Sequence, residues 1–213
     1  MFNESLAASD SRNARAVDVE GTRRLVGVAR STRVKHLVYV SIVGVDRIPF
    51  GYYQAKLEAE RLIAESGVPF SILRATQFHS FVALLLNEVA RYPFIMPIPQ
   101  GFFVQSVAME DLAARLCRAL DEPPTGRVQD FGGPEVLPVE EVAAQWINRG
   151  GRVAAVRPLS IYLPGNIAAA FRAGYNTCPD GERGTETWRD WLKRSMDEDG
   201  PTLESKDSGE RQR

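Results

Sequence analysis

The sequence predicts an α/β fold: a parallel sheet with helices on both faces. Three observations predict it. Helix-like and strand-like segments alternate strictly from Val17 to Arg74, the pattern of a right-handed α/β chain. The run Val34–Val43 (VKHLVYVSIV) is continuously apolar or β-branched, as in a central strand covered on both faces. Between the first two strands, Gly67-Val68-Pro69 stops a helix, since glycine suits the C-cap and proline cannot continue it.

Taken in order, Val17–Ser31 places Val19, Leu25, Val26 and Ala29 near helical spacing, with arginines on the other side, and reads as a helix. The strand Val34–Val43 follows, then a turn-rich link from Gly44 to Gly51. Tyr52–Ser66 (YYQAKLEAERLIAES) is rich in helix formers, and Phe70–Arg74 (FSILR) is the next strand. Beyond Thr76 the alternation loosens. The pattern predicts a helix over Phe78–Arg91, a strand over Phe102–Val107 and a helix over Asp111–Leu120. A short strand over Arg127–Phe131 and a helix over Val139–Asn148, introduced by Pro138, come next. Leu159–Arg194 reads as mostly helical and carries Trp188 and Trp191. Residues 1–16 form a polar N-terminal segment, and residues 195–213, polar and aperiodic, are expected to be a disordered tail.

With 213 residues and 44% hydrophobic content, the chain can bury one substantial core. A formal net charge of -1 gives no basic field, so neither nucleic acid nor an anionic membrane is an expected partner. The apolar run Phe81–Leu86 falls far short of the roughly 20 residues that span a bilayer. Cys117 and Cys178 form no disulfide framework and show no metal-ligand spacing, which fits a cytoplasmic protein without a metal site.

In an open α/β sheet, ligands bind beyond the carboxyl ends of the strands. Three segments converge there: the strand end with Ser41, the next helix with Tyr52 and Lys56, and the loop of Ala75, Thr76, Gln77, Phe78 and His79. Tyr52 and Lys56, four apart, share one helical face. An ammonium beside a phenol favours the phenolate and so lowers a pKa that starts near 10. Ser41 can hold a carbonyl oxygen against that phenol. Tyr53, three residues from Lys56, is the second choice. A Tyr-x-x-x-Lys match arises readily by chance in a chain with six tyrosines, so the order of the elements gives it weight. The bland reading packs Tyr52 on a neighbouring helix and leaves Lys56 solvated. His36 and His79 read as structural, Cys117 as core, Cys178 as a turn residue, and Asp111 as an N-terminal capping or dipole-stabilising group of its helix.

VDVEGTRRLVGVAR, HLVYVSIVGVD and YYQAKLEAERLIAESGVPFSILRATQFH, followed by VAMEDLAARL, FGGPEVLPVEEVA and AFRAGYNTCPDGERGTETWRDWL, resemble the NmrA-like, atypical branch of the short-chain dehydrogenase/reductases. The resemblance covers Val17 to Lys193. It implies a Rossmann-type domain over residues 17–194 that binds NADP or NAD, with a substrate region over about residues 92–194. Ser41, Tyr52 and Lys56 then match the family's Ser, Tyr and Lys. Lys56 also reaches the nicotinamide ribose, and Ala75 to Phe78 line the nicotinamide. The implied activity is reduction of a small carbonyl- or quinone-like substrate. The alternatives are a non-catalytic dinucleotide-sensing regulator and an inactive remnant.

The family's opening strand and glycine-rich turn, which seat the pyrophosphate on backbone N–H groups, have no match here. The expectation is an incomplete doubly wound sheet lacking its first strands. Cofactor binding should then be weak or absent, and an exposed sheet edge should invite self-association.

Overall fold

Strand β1 (Leu37–Ile42) lies parallel to β2 (Phe70–Ala75) over its whole length, in a register that sets Ser41 opposite Arg74. In the computed structural model, which describes residues 15–91, 95–149 and 157–198, these two strands open a five-stranded sheet. On the far side of β2 runs a broken strand, β5 (Gly126–Arg127) and β6 (Phe131–Gly132), with β9 (Glu182–Arg183) beyond it; every pairing is parallel.

Alternation along β2 sends successive side chains to opposite faces. Leu73 and Ala75 join Val40, Phe131 and Val107 in a core closed by Leu112 of helix α4 (Met109–Asp121). Arg74 faces the other way, where Glu60 of α2 (Gly51–Ala64) receives it. Helices therefore cover both faces, as predicted. A π-helical turn, Arg15–Glu20, and α1 (Gly21–Ser31) pack beside α2.

The rest forms a second layer. Helix α3 (His79–Val89) leads to β3 (Ile95–Pro99), which pairs in parallel with β8 (Arg157–Ile161). β4 (Phe103–Val104) is antiparallel to β7 (Leu137–Pro138) and precedes α5 (Val139–Asn148). Helix α6 (Asn166–Arg172) and α7 (Trp188–Glu198) complete the described chain. Trp146 of α5, Met96 and Ile98 of β3, and Trp188 and Leu192 of α7 share one core.

Several expectations need correction. The first helix is a π-helical turn followed by an α-helix, and Leu25 (52% exposed) faces outward instead of joining the core. β1 starts at Leu37 and is only partly covered; among the described strands it pairs with β2 alone, so it is an edge and not a central strand. Of the expected strand Phe102–Val107 only Phe103–Val104 forms, and Arg127–Phe131 is split in two. Leu159–Arg194 is mixed, with two strands and two helices. Ser195 continues α7, while the remaining tail from residue 199 and the segment 1–14 lie outside the described residues. Cys117 is exposed, because it falls on the outer face of α4.

Candidate functional site

The carboxyl ends of β1 and β2 carry a group of polar atoms that the protein does not pair. Ser41 is 3% exposed and Thr76 4%, yet both hydroxyls are buried without a hydrogen-bond partner, and the buried Gln77 amide has only the Tyr53 phenol near it. Buried polar groups are paired in the great majority of cases, so two orphaned hydroxyls at one sheet end fit a polar ligand. Ala75 and Phe78 are committed to structure. The Ala75 carbonyl accepts from Val43 N–H at 2.9 Å, and Phe78 opens α3 with its ring against the sheet core. The polar reach of the loop comes from Thr76 and Gln77.

Helix α2 brings Tyr52 and Lys56 to the same region one turn apart, but Lys56 does not serve the phenol in the expected way. Its Nζ donates to the Val40 carbonyl at 3.0 Å, lies 4.3 Å above the Tyr39 ring and pairs with Asp18 Oδ1 at 3.5 Å. Burial pulls the ammonium below the usual lysine value, while Asp18 and then Glu60 pull it back up. The Tyr52 phenol is raised, first by burial and then by the negative charge of Asp18 and by Tyr53. Tyr52 retains 39% exposure, whereas Tyr53 is 7% exposed and packs edge-on against Phe50 at 5.6 Å. Burial raises the Tyr53 phenol too, partly offset by Gln77.

Other polar residues hold this arrangement. Arg74, 4% exposed, binds Glu60 of α2 through two contacts of 2.8 and 2.7 Å and Asp46 of the β1–α2 loop at 2.9 Å. His79 is structural, as read: its Nδ1 meets Ser106 Oγ at 2.8 Å and its Nε2 meets the Glu186 carbonyl at 3.2 Å. Its ring lies 5.8 Å from that of Trp188 and 5.7 Å from that of Trp191. His36 bonds Ser71 Oγ at 2.8 Å. Asp111 lies in the first turn of α4, where its charge suits the helix dipole, but its side chain caps Thr185 and Glu186 across the molecule instead of its own helix. Cys178 is buried, with its thiol pushed up to about 12 by burial, and is inert as a nucleophile. Among the described residues no group of His, Cys, Asp and Glu could hold a metal, and no helix is long and apolar enough to cross a membrane.

An open cleft of about 810 Å³ lies between the β1–α2 loop and the loop before β9. Two of its charges are engaged, Arg127 with Asp130 at 3.0 Å and Arg47 over the Tyr175 ring at 3.5 Å, and the cleft lies apart from Ser41, Tyr52 and Thr76. Sequence reasoning singled out Ser41, Tyr52, Lys56, Thr76 and Gln77, which the fold brings to the same sheet end, and did not single out Asp18 or Arg74. Asp18 looks like the polar face of a helix, and Arg74 a lone charge in an apolar strand.

Comparison with known proteins agrees with this architecture. Quinone oxidoreductase 2 of Escherichia coli K12 is 24% identical over 153 residues, 71% of this chain and 52% of that protein, so the chain spans about half the length of this curated relative. The E. coli NADPH-dependent quinone oxidoreductase complexed with NADPH superposes with a TM-score of 0.66 at 16% identity, covering 82% of this chain and 70% of that one. The Bordetella bronchiseptica enzyme WbmG, in complex with NAD and UDP, gives 0.64 at 14% identity, with 84% and 64% covered. At such identities these structures establish a shared Rossmann-like fold. A protein-family match described as NAD(P)H-binding spans residues 5–123, more than half of the sequence, and the chain belongs to that family.

Proposed function

We propose that this chain binds NAD(P)H across the carboxyl ends of β1 and β2 and carries the reducing half-site for a small quinone- or carbonyl-like substrate. The observation that carries the reading is the pair of unpaired buried hydroxyls of Ser41 and Thr76, with the Gln77 amide beside them, one short loop away from Tyr52. Gln77 offers a carboxamide to a carboxamide, with one donor and one acceptor side, and Thr76 offers a hydroxyl beside it. Bound there, the dinucleotide supplies hydride. The Ser41 hydroxyl donates to the substrate oxygen and orients it, and Tyr52 holds the proton at its phenol oxygen for delivery. Lys56, held above Tyr39, is one turn away to meet a ribose hydroxyl. Similarity to quinone oxidoreductase 2 supports a quinone-like substrate.

Isothermal titration with NADPH and NADH tests the binding half, and Gln77→Ala should weaken it about tenfold. Tyr52→Phe should leave that binding intact while lowering quinone reduction by about 10²–10⁴-fold, the range for loss of one acid–base group. Full reduction activity in Tyr52→Phe would overturn the assignment. One observation favours a dinucleotide-sensing reading without turnover: Lys56 is engaged by Asp18 and the Tyr52 phenol is raised. Binding with no reduction in the unsubstituted protein would decide for it.

A further inference from the structure

Asp18 sits in the π-helical turn Arg15–Glu20, a wider winding that is uncommon and often found at functional positions. Its carboxylate lies 3.5 Å from Lys56 Nζ, and neither side chain is open to solvent, with 18% and 11% exposure. An ammonium has three donors. Two of them face the Val40 carbonyl and Asp18, which leaves one for a ligand at the strand ends. The groups around Lys56 are Asp18 from the π-turn, Tyr39 from β1, and Glu60 from its own helix. Glu60 is already bound on both oxygens by Arg74, so Asp18 is the carboxylate that answers Lys56.

Building on the NAD(P)H-binding reading, we propose that Asp18 is the positioning residue of Lys56, fixing its ammonium over Tyr39 beside the strand ends. Burial works against the charge of Lys56, and Asp18 opposes that effect.

The chain has four lysines (Lys35, Lys56, Lys193 and Lys206), so nitrogen-15 lysine labelling resolves Lys56 by NMR, with Lys56→Arg to assign its signal. In the unsubstituted protein, without dinucleotide, the Lys56 Hζ–Nζ correlation should persist at neutral pH where Lys35 loses its own to solvent exchange. In Asp18→Asn the Lys56 titration should fall by about one unit, a tenfold larger proton dissociation constant, and Asp18→Glu should restore most of it. A merely structural Asp18 would lower the melting temperature and leave that titration in place. An unprotected Lys56 in the unsubstituted protein, or an unchanged titration in folded Asp18→Asn, would overturn the proposal. Calorimetry with NADPH on the same samples tests the binding reading separately, since neither NMR measurement needs the dinucleotide.

Discussion

Asp111 accepts three hydrogen bonds, from Thr185 N–H at 2.8 Å, Thr185 Oγ1 at 3.0 Å and Glu186 N–H at 3.0 Å. Partial burial works to raise its carboxyl, and these bonds more than offset it, leaving the group below the usual aspartate value. A depressed carboxyl stabilises the fold above the unfolded value of about 3.9, and that stability is lost as pH falls through the folded one. His79 adds to the acid side. Burial holds it below the ordinary histidine value, so the unfolded chain binds the proton first; its contribution is complete above about pH 6.5 and declines as pH falls below it. Two outcomes are expected. Asp111→Asn should cost about 1–3 kcal/mol in urea unfolding at pH 7 and much less at pH 3. His79→Gln should flatten the loss of stability between pH 6.5 and 5, read from the fluorescence of the Trp188–Trp191 stack (5.4 Å between rings).

At the scale of elements, Arg74 ties three pieces together: its own strand β2, helix α2 through Glu60, and the β1–α2 loop through Asp46. Removing one partner of a buried ion pair strands the other, at a cost of about 3–5 kcal/mol. Arg74→Met should therefore destabilise by that amount in urea unfolding, and Arg74→Met with Glu60→Leu should recover most of it. None of this was legible in the sequence, because a charge within a strand does not announce its partner 14 residues earlier. The elements that could be read have local causes. Helix α2 ends where Gly67 and Pro69 demand, α5 starts after Pro138, and β2 carries the apolar Phe70, Ile72, Leu73 and Ala75. β3 and β8 were missed because proline punctuates both (IMPIP and RPLSI), and proline argues against a strand unless a partner fixes the register, here Met96 opposite Pro158 and Pro97 opposite Leu159. The site divides the same way. Ser41, Tyr52, Lys56, Thr76 and Gln77 follow from position along the chain, whereas Asp18 depends on a π-turn that periodicity reads as ordinary helix.

Across the whole molecule, residues 175–188 bind back onto segments far earlier in the chain. Gln105 takes the Cys178 N–H at 2.7 Å, Asn176 donates to the Phe103 carbonyl at 2.7 Å, and Trp188 Nε1 donates to the Val142 carbonyl at 3.2 Å. Gly44 allows a close approach to this segment: its φ of +79° suits glycine, and a Cβ there would overlap the Tyr175 carbonyl oxygen. Gly44→Ala should accordingly lower the melting temperature by several degrees in a thermal scan, more than Gly27→Ala, where a Cβ meets nothing.

β9 is the edge of the sheet opposite β1 and follows β1 and β2 by more than a hundred residues. A chain emerging from the ribosome assembles β1, β2 and their helices long before the partners of Gln105, His79 and Asp111 exist. Synthesis thus passes through a stage in which the sheet is formed but its outer seam is open. A chain ended at Thr177 should reproduce that stage, with native-like far-ultraviolet dichroism, no near-ultraviolet tryptophan signal and strong dye binding.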